Sequence, residues 1–260
     1  MGLLVTLCLA ISACAQSDVT TIIQRSVEAN NIDWEAAPHY DNFELDWQPG
    51  GGTKTYEVIM ILGSDYQRLV AVNGKPLSSE KQAEEQQKLE QVIAQRRSES
   101  KQQRAERIAK YEKERKRDHM LMSQLTVAFD FKLLGEKKLG LYDVYELQAT
   151  PRPGYQPPNY ETKVLTGMEG KLWIDKQTYQ WVKVEAEVMH PVSIAGFLAQ
   201  VQPGTRFELE KMPVEDDIWL PSHFSMQARA KVLFFFSHNS EEDETYFDYR
   251  KVSPSSIARP

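Results

Sequence analysis

Residues 171–188 read KLWIDKQTYQWVKVEAEV. In the second half, Val182, Val184, Ala186 and Val188 occupy even positions, and Trp181, Lys183, Glu185 and Glu187 occupy odd ones. A period of two is the pattern of a strand with one face buried and one face wet. Lys171–Ile174 reads as a preceding strand, and Asp175-Lys176 supplies the turn between them, so the whole stretch predicts an antiparallel hairpin.

The same alternation recurs on both sides of this hairpin. From His223 to Phe236 the even positions Phe224, Met226, Ala228, Ala230, Val232, Phe234 and Phe236 are apolar, facing His223, Ser225, Gln227, Arg229 and Lys231 on the other side. Phe43, Leu45 and Trp47 alternate with Asn42, Glu44 and Asp46, and Phe207 and Leu209 with Arg206, Glu208 and Glu210. With 56–62, 66–72, 127–134, 141–149 and 245–252, about nine to eleven strands are expected, separated by turn chemistry such as Asn73-Gly74 and Pro203-Gly204. Short turns between one-faced strands imply antiparallel pairing.

Too few helices carry an apolar stripe to cover so wide a sheet lying flat. The expected fold is therefore α+β: a strongly curved antiparallel sheet, a half-barrel, with helices across its concave side and a long charged helical insertion. One helix is expected over residues 19–37, with Ser17-Asp18 as its cap and Val19, Ile22, Ile23 and Val27 as its stripe. Between Pro191 and Pro203, Ile194, Phe197, Leu198 and Val201 fall at i, i+3, i+4 and i+7, predicting a short amphipathic helix at the mouth of the curl.

The insertion spans 79–118 and contains neither Gly nor Pro. It holds 12 basic and 9 acidic residues, a balance of +3, so the net charge of −6 leaves −9 on the rest of the chain. An acidic body of this kind excludes nucleic acid as a natural partner. Glutamates gather at its start and cations at its end, as the helix dipole favours, and a break near Ser98–Ser100 or one continuous helix both fit. The run Lys113–Arg117 reads as a solvated helix end, because Glu112, Glu114 and Asp118 dilute it.

The first residues, MGLLVTLCLAISACAQ, hold an apolar run too short to span a bilayer but of the length of a signal-peptide core. Residues 1–15 are expected to be a signal peptide and 16–260 a single domain, exported and periplasmic. Cleavage before Cys14 would instead leave the protein lipid-anchored to the outer membrane through that cysteine. Both cleavage chemistries are open at Ala13-Cys14-Ala15, and no transmembrane helix is expected in the mature chain.

The chain carries none of the common catalytic signatures. No G-x-S-x-G, P-loop, G-x-G-x-x-G or H-E-x-x-H pattern occurs, and His39, His119, His190, His223 and His238 have no metal-ligand spacing. The sequence therefore predicts no enzyme, no catalytic residue, no metal and no cofactor. Trp181, alone among charges on its strand face, and Trp173 and Trp219 are candidates for an exposed binding surface or for the edge of the core.

Several stretches together, NGKPLS (73–78), FDF (129–131), ATPRPGYQPP (149–158), the 171–188 hairpin, QPGTRFELEK (202–211) and WLPSHF (219–224), resemble an uncharacterised family of secreted acidobacterial proteins. At the level of fold the chain is similar to the lipoprotein-carrier superfamily (LolA/LolB-like). The resemblance implies a non-enzymatic envelope protein that binds a lipid or lipoprotein acyl chain in an apolar concavity. Its expected lining is Val182, Val184, Val188, Phe197, Leu198, Phe224, Met226, Val232 and Phe234. The alternative is an envelope sensor or scaffold that meets a protein partner through 79–118.

Overall fold

The computed structural model describes residues 4–194, 199–215, 217–232 and 236–252, with side chains described outside 4–18, 118, 232 and 236–238. The chain is α+β. Its helices are α1 (Leu4–Ala36), α2 (Ser79–Ser98), α3 (Lys101–Ser123) and α4 (Leu125–Ala128). The strands are β1 (Tyr40–Gln48), β2 (Gly52–Ile61), β3 (Ser64–Val72), β4 (Lys75–Pro76), β5 (Phe129–Leu139), β6 (Tyr142–Pro151) and β7 (Met168–Asp175). They continue with β8 (Trp181–Val188), β9 (Val192–Ser193), β10 (Ala199–Val201), β11 (Arg206–Glu215), β12 (Ile218–Val232) and β13 (Phe236–Lys251).

Eleven of these strands form one open, curved antiparallel path in the order β4-β3-β2-β1-β13-β12-β11-β8-β7-β6-β5, and β9 and β10 attach to it through β12. Short turns make most neighbours consecutive in sequence. The exceptions are β1 with β13 and β8 with β11, which draw the N-terminal strands and the final hairpin into the same sheet.

Three expectations are corrected. Ser17-Asp18 do not begin the first helix: α1 runs through them from Leu4, because the Leu- and Ala-rich residues before them are themselves good helix formers. The 192–201 stretch is not a helix at its described positions. Val192 pairs with Val201 and Ser193 with Gln200, so β9 and β10 form a small hairpin that continues onto β12, and residues 195–198 lie outside the described ones. The strand expected from 223 to 236 ends at Val232, and Phe236 already belongs to β13, paired back onto Val232.

The insertion is two helices joined at Glu99-Ser100. Ser100 caps α3 in a reciprocal arrangement with Gln103, which stops α2 and restarts the helix in a new direction. Arg96 donates to the carbonyls of Ile61, Ser64 and Asp65 at 2.8–2.9 Å. Arg107 donates to the Ser64 hydroxyl and the Leu62 carbonyl while gripping Glu99 through two 2.7 Å bonds. The elbow is thus clamped to the β2–β3 turn by two guanidinium forks. Arg115, expected in a solvated end, instead donates to the Trp34 carbonyl of α1 and lies over its ring. Arg107→Met is expected to raise cleavage by a glutamyl endopeptidase at Glu99 several-fold in limited proteolysis, with far-ultraviolet circular dichroism unchanged.

α1 lies across one face of the sheet. Val19, Ile22 and Ile23 pack on Phe129, Leu147, Leu172, Val184 and Val188 in the main core. One turn further on, the same stripe becomes polar yet stays buried: Ser26, Asn30 and Asp33. Lys211 of β11 accounts for this, because its ammonium reaches Asn30 Oδ1 at 2.9 Å and the Asp33 carboxylate. The other Asp33 oxygen accepts from Gln180 Nε2 at 3.0 Å and from the Trp219 amide at 2.9 Å. Burial pushes the Lys211 ammonium below its ordinary pKa, against the pull of Asp33.

Candidate functional site

Strand alternation and register divide the sheet into a helix face, under α1, and an open face. On the helix face Leu147, Leu172, Val184, Leu209 and Phe224 stand directly opposite one another across β6, β7, β8, β11 and β12. Val184 and Val188 are buried there against α1, while Phe224 and Met226 are half-buried farther along the face. The expected lining is therefore gathered only in part. Phe197, Leu198 and Phe234 lie outside the described residues, as do the side chains of Val232 and Cys14.

Val182 does not belong with Val184. A bulge at Trp181-Val182, visible as a register shift against β7, inserts an extra residue into the alternation. Trp181 consequently turns into the main core, 1% exposed, and Val182 packs with Val144, Trp173 and Trp219 in a second cluster. None of the three tryptophans is an exposed surface marker.

Beyond Phe224 the helix face becomes acidic. Glu244 of β13 stands opposite both Phe224 and Asp46, and Glu44 stands opposite Tyr246, which donates to Glu244. Burial, reinforced by Glu244, Asp46 and Asp65, pushes the Glu44 carboxyl up to about 7. The folded chain then holds this proton more tightly than the unfolded one, so stability is lost as pH rises from about 4.5 to about 7. The urea midpoint is expected to rise as pH is lowered through that window, and the Glu44→Gln variant should show a smaller rise than the parent.

The open face bears a hollow of about 700 Å3 running across the strands. One wall is a row in direct register, Gln148, Lys171, Glu185, Glu208, Ser225, Asp243 and Trp47, from β6 through to β1. A parallel row two residues along, Glu169, Glu187, Arg206, Gln227 and Glu241, forms the other. Between them the floor is the intervening backbone, including Gly170, where a Cβ would stand 2.6 Å from the Glu185 carbonyl oxygen. Only glycine lets β7 and β8 approach this closely without a shift.

Six carboxylates and two cations project into this hollow. Its middle is partly neutralised: Lys183 sits 2.7 Å from Glu208 and 3.1 Å from Glu185, and Arg206 sits 3.1 Å from Glu187. Desolvation is outweighed by the hydrogen bonds that the Lys183 ammonium donates to Glu208 and Glu185, which raise its pKa, so it stays charged. At the ends, Glu169 and Glu241 have no ion-pair partner among the described residues, and Asp243 meets only His223, at 3.2 Å. Alternation puts Glu185, Glu187, Arg206, Glu208, Ser225 and Gln227 on wet strand faces, but Glu169, Glu241 and Asp243 fall outside the expected strands and alternation carries no register, so the alignment into two facing rows was not legible.

No protein-family model matches the chain, and neither does any curated protein sequence. Among solved structures, a domain described as an outer membrane lipoprotein-sorting protein from Vibrio parahaemolyticus is 13% identical, covering 89% of this chain and 94% of its own, with a TM-score of 0.34. A LolA superfamily protein from Nitrosomonas europaea is 12% identical over 92% and 96%, with a TM-score of 0.32. The MucA/MucB complex of Pseudomonas aeruginosa contains a chain 12% identical over 90% and 96%, with a TM-score of 0.27. Likenesses at these scores carry no argument about function. Among the described residues no helix is long and apolar enough to cross a membrane, and no group of three or more His, Cys, Asp or Glu is placed to hold a metal ion.

Proposed function

We propose that this chain is a non-catalytic binding protein of the cell envelope that holds a polypeptide partner against its open sheet face. One observation carries the reading: the hollow across that face is walled by side chains projecting from the rigid sheet, while the described centre of the apolar face is filled by α1. A site built on strands needs little ordering when a partner arrives, which lowers the cost of association. The α2–α3 elbow, clamped to the β2–β3 turn, acts as a brace for the edge of the sheet.

A second reading, uptake of a lipid or lipoprotein acyl chain, is favoured by the strip of half-buried Phe207, Leu209, Phe224 and Met226 on the helix face. Each CH2 buried there would contribute about 0.8 kcal/mol. The two readings predict different contact sites. A photoactivatable thiol cross-linker is placed on Ser225→Cys, on the open face, and on Gln102→Cys, on α3, in expressing cells whose protein lacks Cys8 and Cys14. Protein adducts confined to position 225 support the open-face reading. Equal labelling at both positions, or stoichiometric lipid on the native protein by mass spectrometry with no adduct at 225, overturns it.

A further inference from the structure

The charges of the open-face hollow identify the chemistry of its occupant. We infer that it receives an extended segment of a partner protein carrying basic residues in two groups about six residues apart, lying across the strands. This rests on the open-face reading and adds to it the character of the partner.

Three features lead there. The hollow is a trough rather than a pit: its walls draw side chains from seven adjacent strands, β6 to β1, so it accommodates a long, narrow ligand. Its carboxylates are unequally satisfied. In the middle Lys183 and Arg206 already answer Glu185, Glu208 and Glu187, whereas Glu169 on β7 and Glu241 on β13 await a counter-charge from outside, and Asp243 beside Glu241 meets only the His223 imidazole. The two ends are four strand spacings apart, about 19 Å at about 4.8 Å each, which an extended chain covers in about six residues at about 3.3 Å per residue.

The apolar surroundings fit the same occupant. Trp47 borders Asp243 at the β13 end, and Met189 stands exposed at the β8 end. A lysine or arginine stem laid along these groups keeps its charge at the carboxylates, and an arginine or lysine cation over Trp47 gains from the ring's negative face. An acidic peptide would meet repulsion at both ends of the trough. A compact divalent cation could answer only one end.

The test uses fluorescence anisotropy with labelled decapeptides on the full exported chain. One peptide carries a pair of lysines at each end of a Gly-Ser spacer, a second carries the four lysines together, and a third replaces lysine by glutamate. The split peptide is expected to bind more tightly than the contiguous one, the acidic one not to bind, and affinity to fall steeply with salt. Glu169→Gln with Glu241→Gln and Asp243→Asn should weaken the split peptide more than about tenfold, whereas Glu80→Gln with Glu84→Gln and Glu90→Gln on α2, the same change in net charge, should leave it within about twofold. Should the triple groove variant not fold, carbodiimide coupling of the split peptide to the parent protein gives the answer, with amides expected at Glu169 and at Glu241 or Asp243. Equal binding of split and contiguous peptides, equal loss in both triple variants, or coupling spread over the surface overturns the inference. If Ser225→Cys still yields a protein adduct while the split peptide fails to bind, the cationic chemistry falls and the open-face reading stands.

Discussion

Asp33→Ala is expected to lower the unfolding free energy by about 3–5 kcal/mol, the cost of breaking a buried ion pair from one side. Asp33 is 2% exposed and Lys211 8% exposed, so solvent screens the pair little. The alanine leaves the Lys211 ammonium beside Asn30 alone and strips acceptors from Gln180 and the Trp219 amide. Lys211→Met combined with Asp33→Leu, which removes both charges, should recover most of that loss, since a well-packed apolar pair avoids the desolvation of two ions. Urea denaturation followed by circular dichroism measures both. A single variant within about 1 kcal/mol of the parent would show that α1 is held by its apolar stripe and that the pair contributes nothing net.

The second large effect falls on Trp181, for which alanine should cost about 3–5 kcal/mol by leaving a void of indole size at the centre of the main core. The indole is 1% exposed, and its Nε1 finds no hydrogen-bond acceptor. Trp181→Phe should therefore cost clearly less than Trp181→Ala, because the smaller ring keeps part of the packing and removes an unsatisfied donor. If phenylalanine proved as damaging as alanine, the indole nitrogen would have to be making a bond, and the packing account of this position would fail.

Trp181 also shows where sequence reading reached its limit. Counting by twos from Val188 back to Val182 is correct for Val188, Ala186 and Val184, and the hairpin, the antiparallel pairing and the open α+β sheet all follow from such counts. The count fails at one extra residue. A bulge carries no fixed residue signature, and its effect is to move every side chain beyond it to the opposite face. A hydrophobic Val182 and a hydrophobic Trp181 satisfy either arrangement, so only the register against β7 distinguishes them.

The 192–201 stretch failed for a related reason. Ile194 and Val201, seven positions apart, both pack on the core, as a helix would require, but a tight hairpin also brings its two ends to one place. The elbow was legible as helix because composition alone makes it so, and Ser100 marked the break. Its attachment was not, since Arg96 and Arg107 bond mainly to backbone carbonyls of a turn more than thirty residues earlier, and carbonyls have no letter in a sequence. The candidate site was the least legible part. The glutamates of the open face read as isolated positions until five strands spread over residues 168–251 are laid side by side.

The Asp33–Lys211 lock has a bearing on the order in which the molecule is made. Its two members are separated by 178 positions, and the Trp219 amide that completes it comes later still. At a ribosomal pace of about 5–20 residues per second, roughly ten to forty seconds pass between the emergence of α1 and that of the strand that fastens it. During that interval the leading helix has its apolar stripe but no final seat. A chaperone acting on the nascent chain meets an unfastened α1, and the β11–β12 hairpin is what withdraws it from reach.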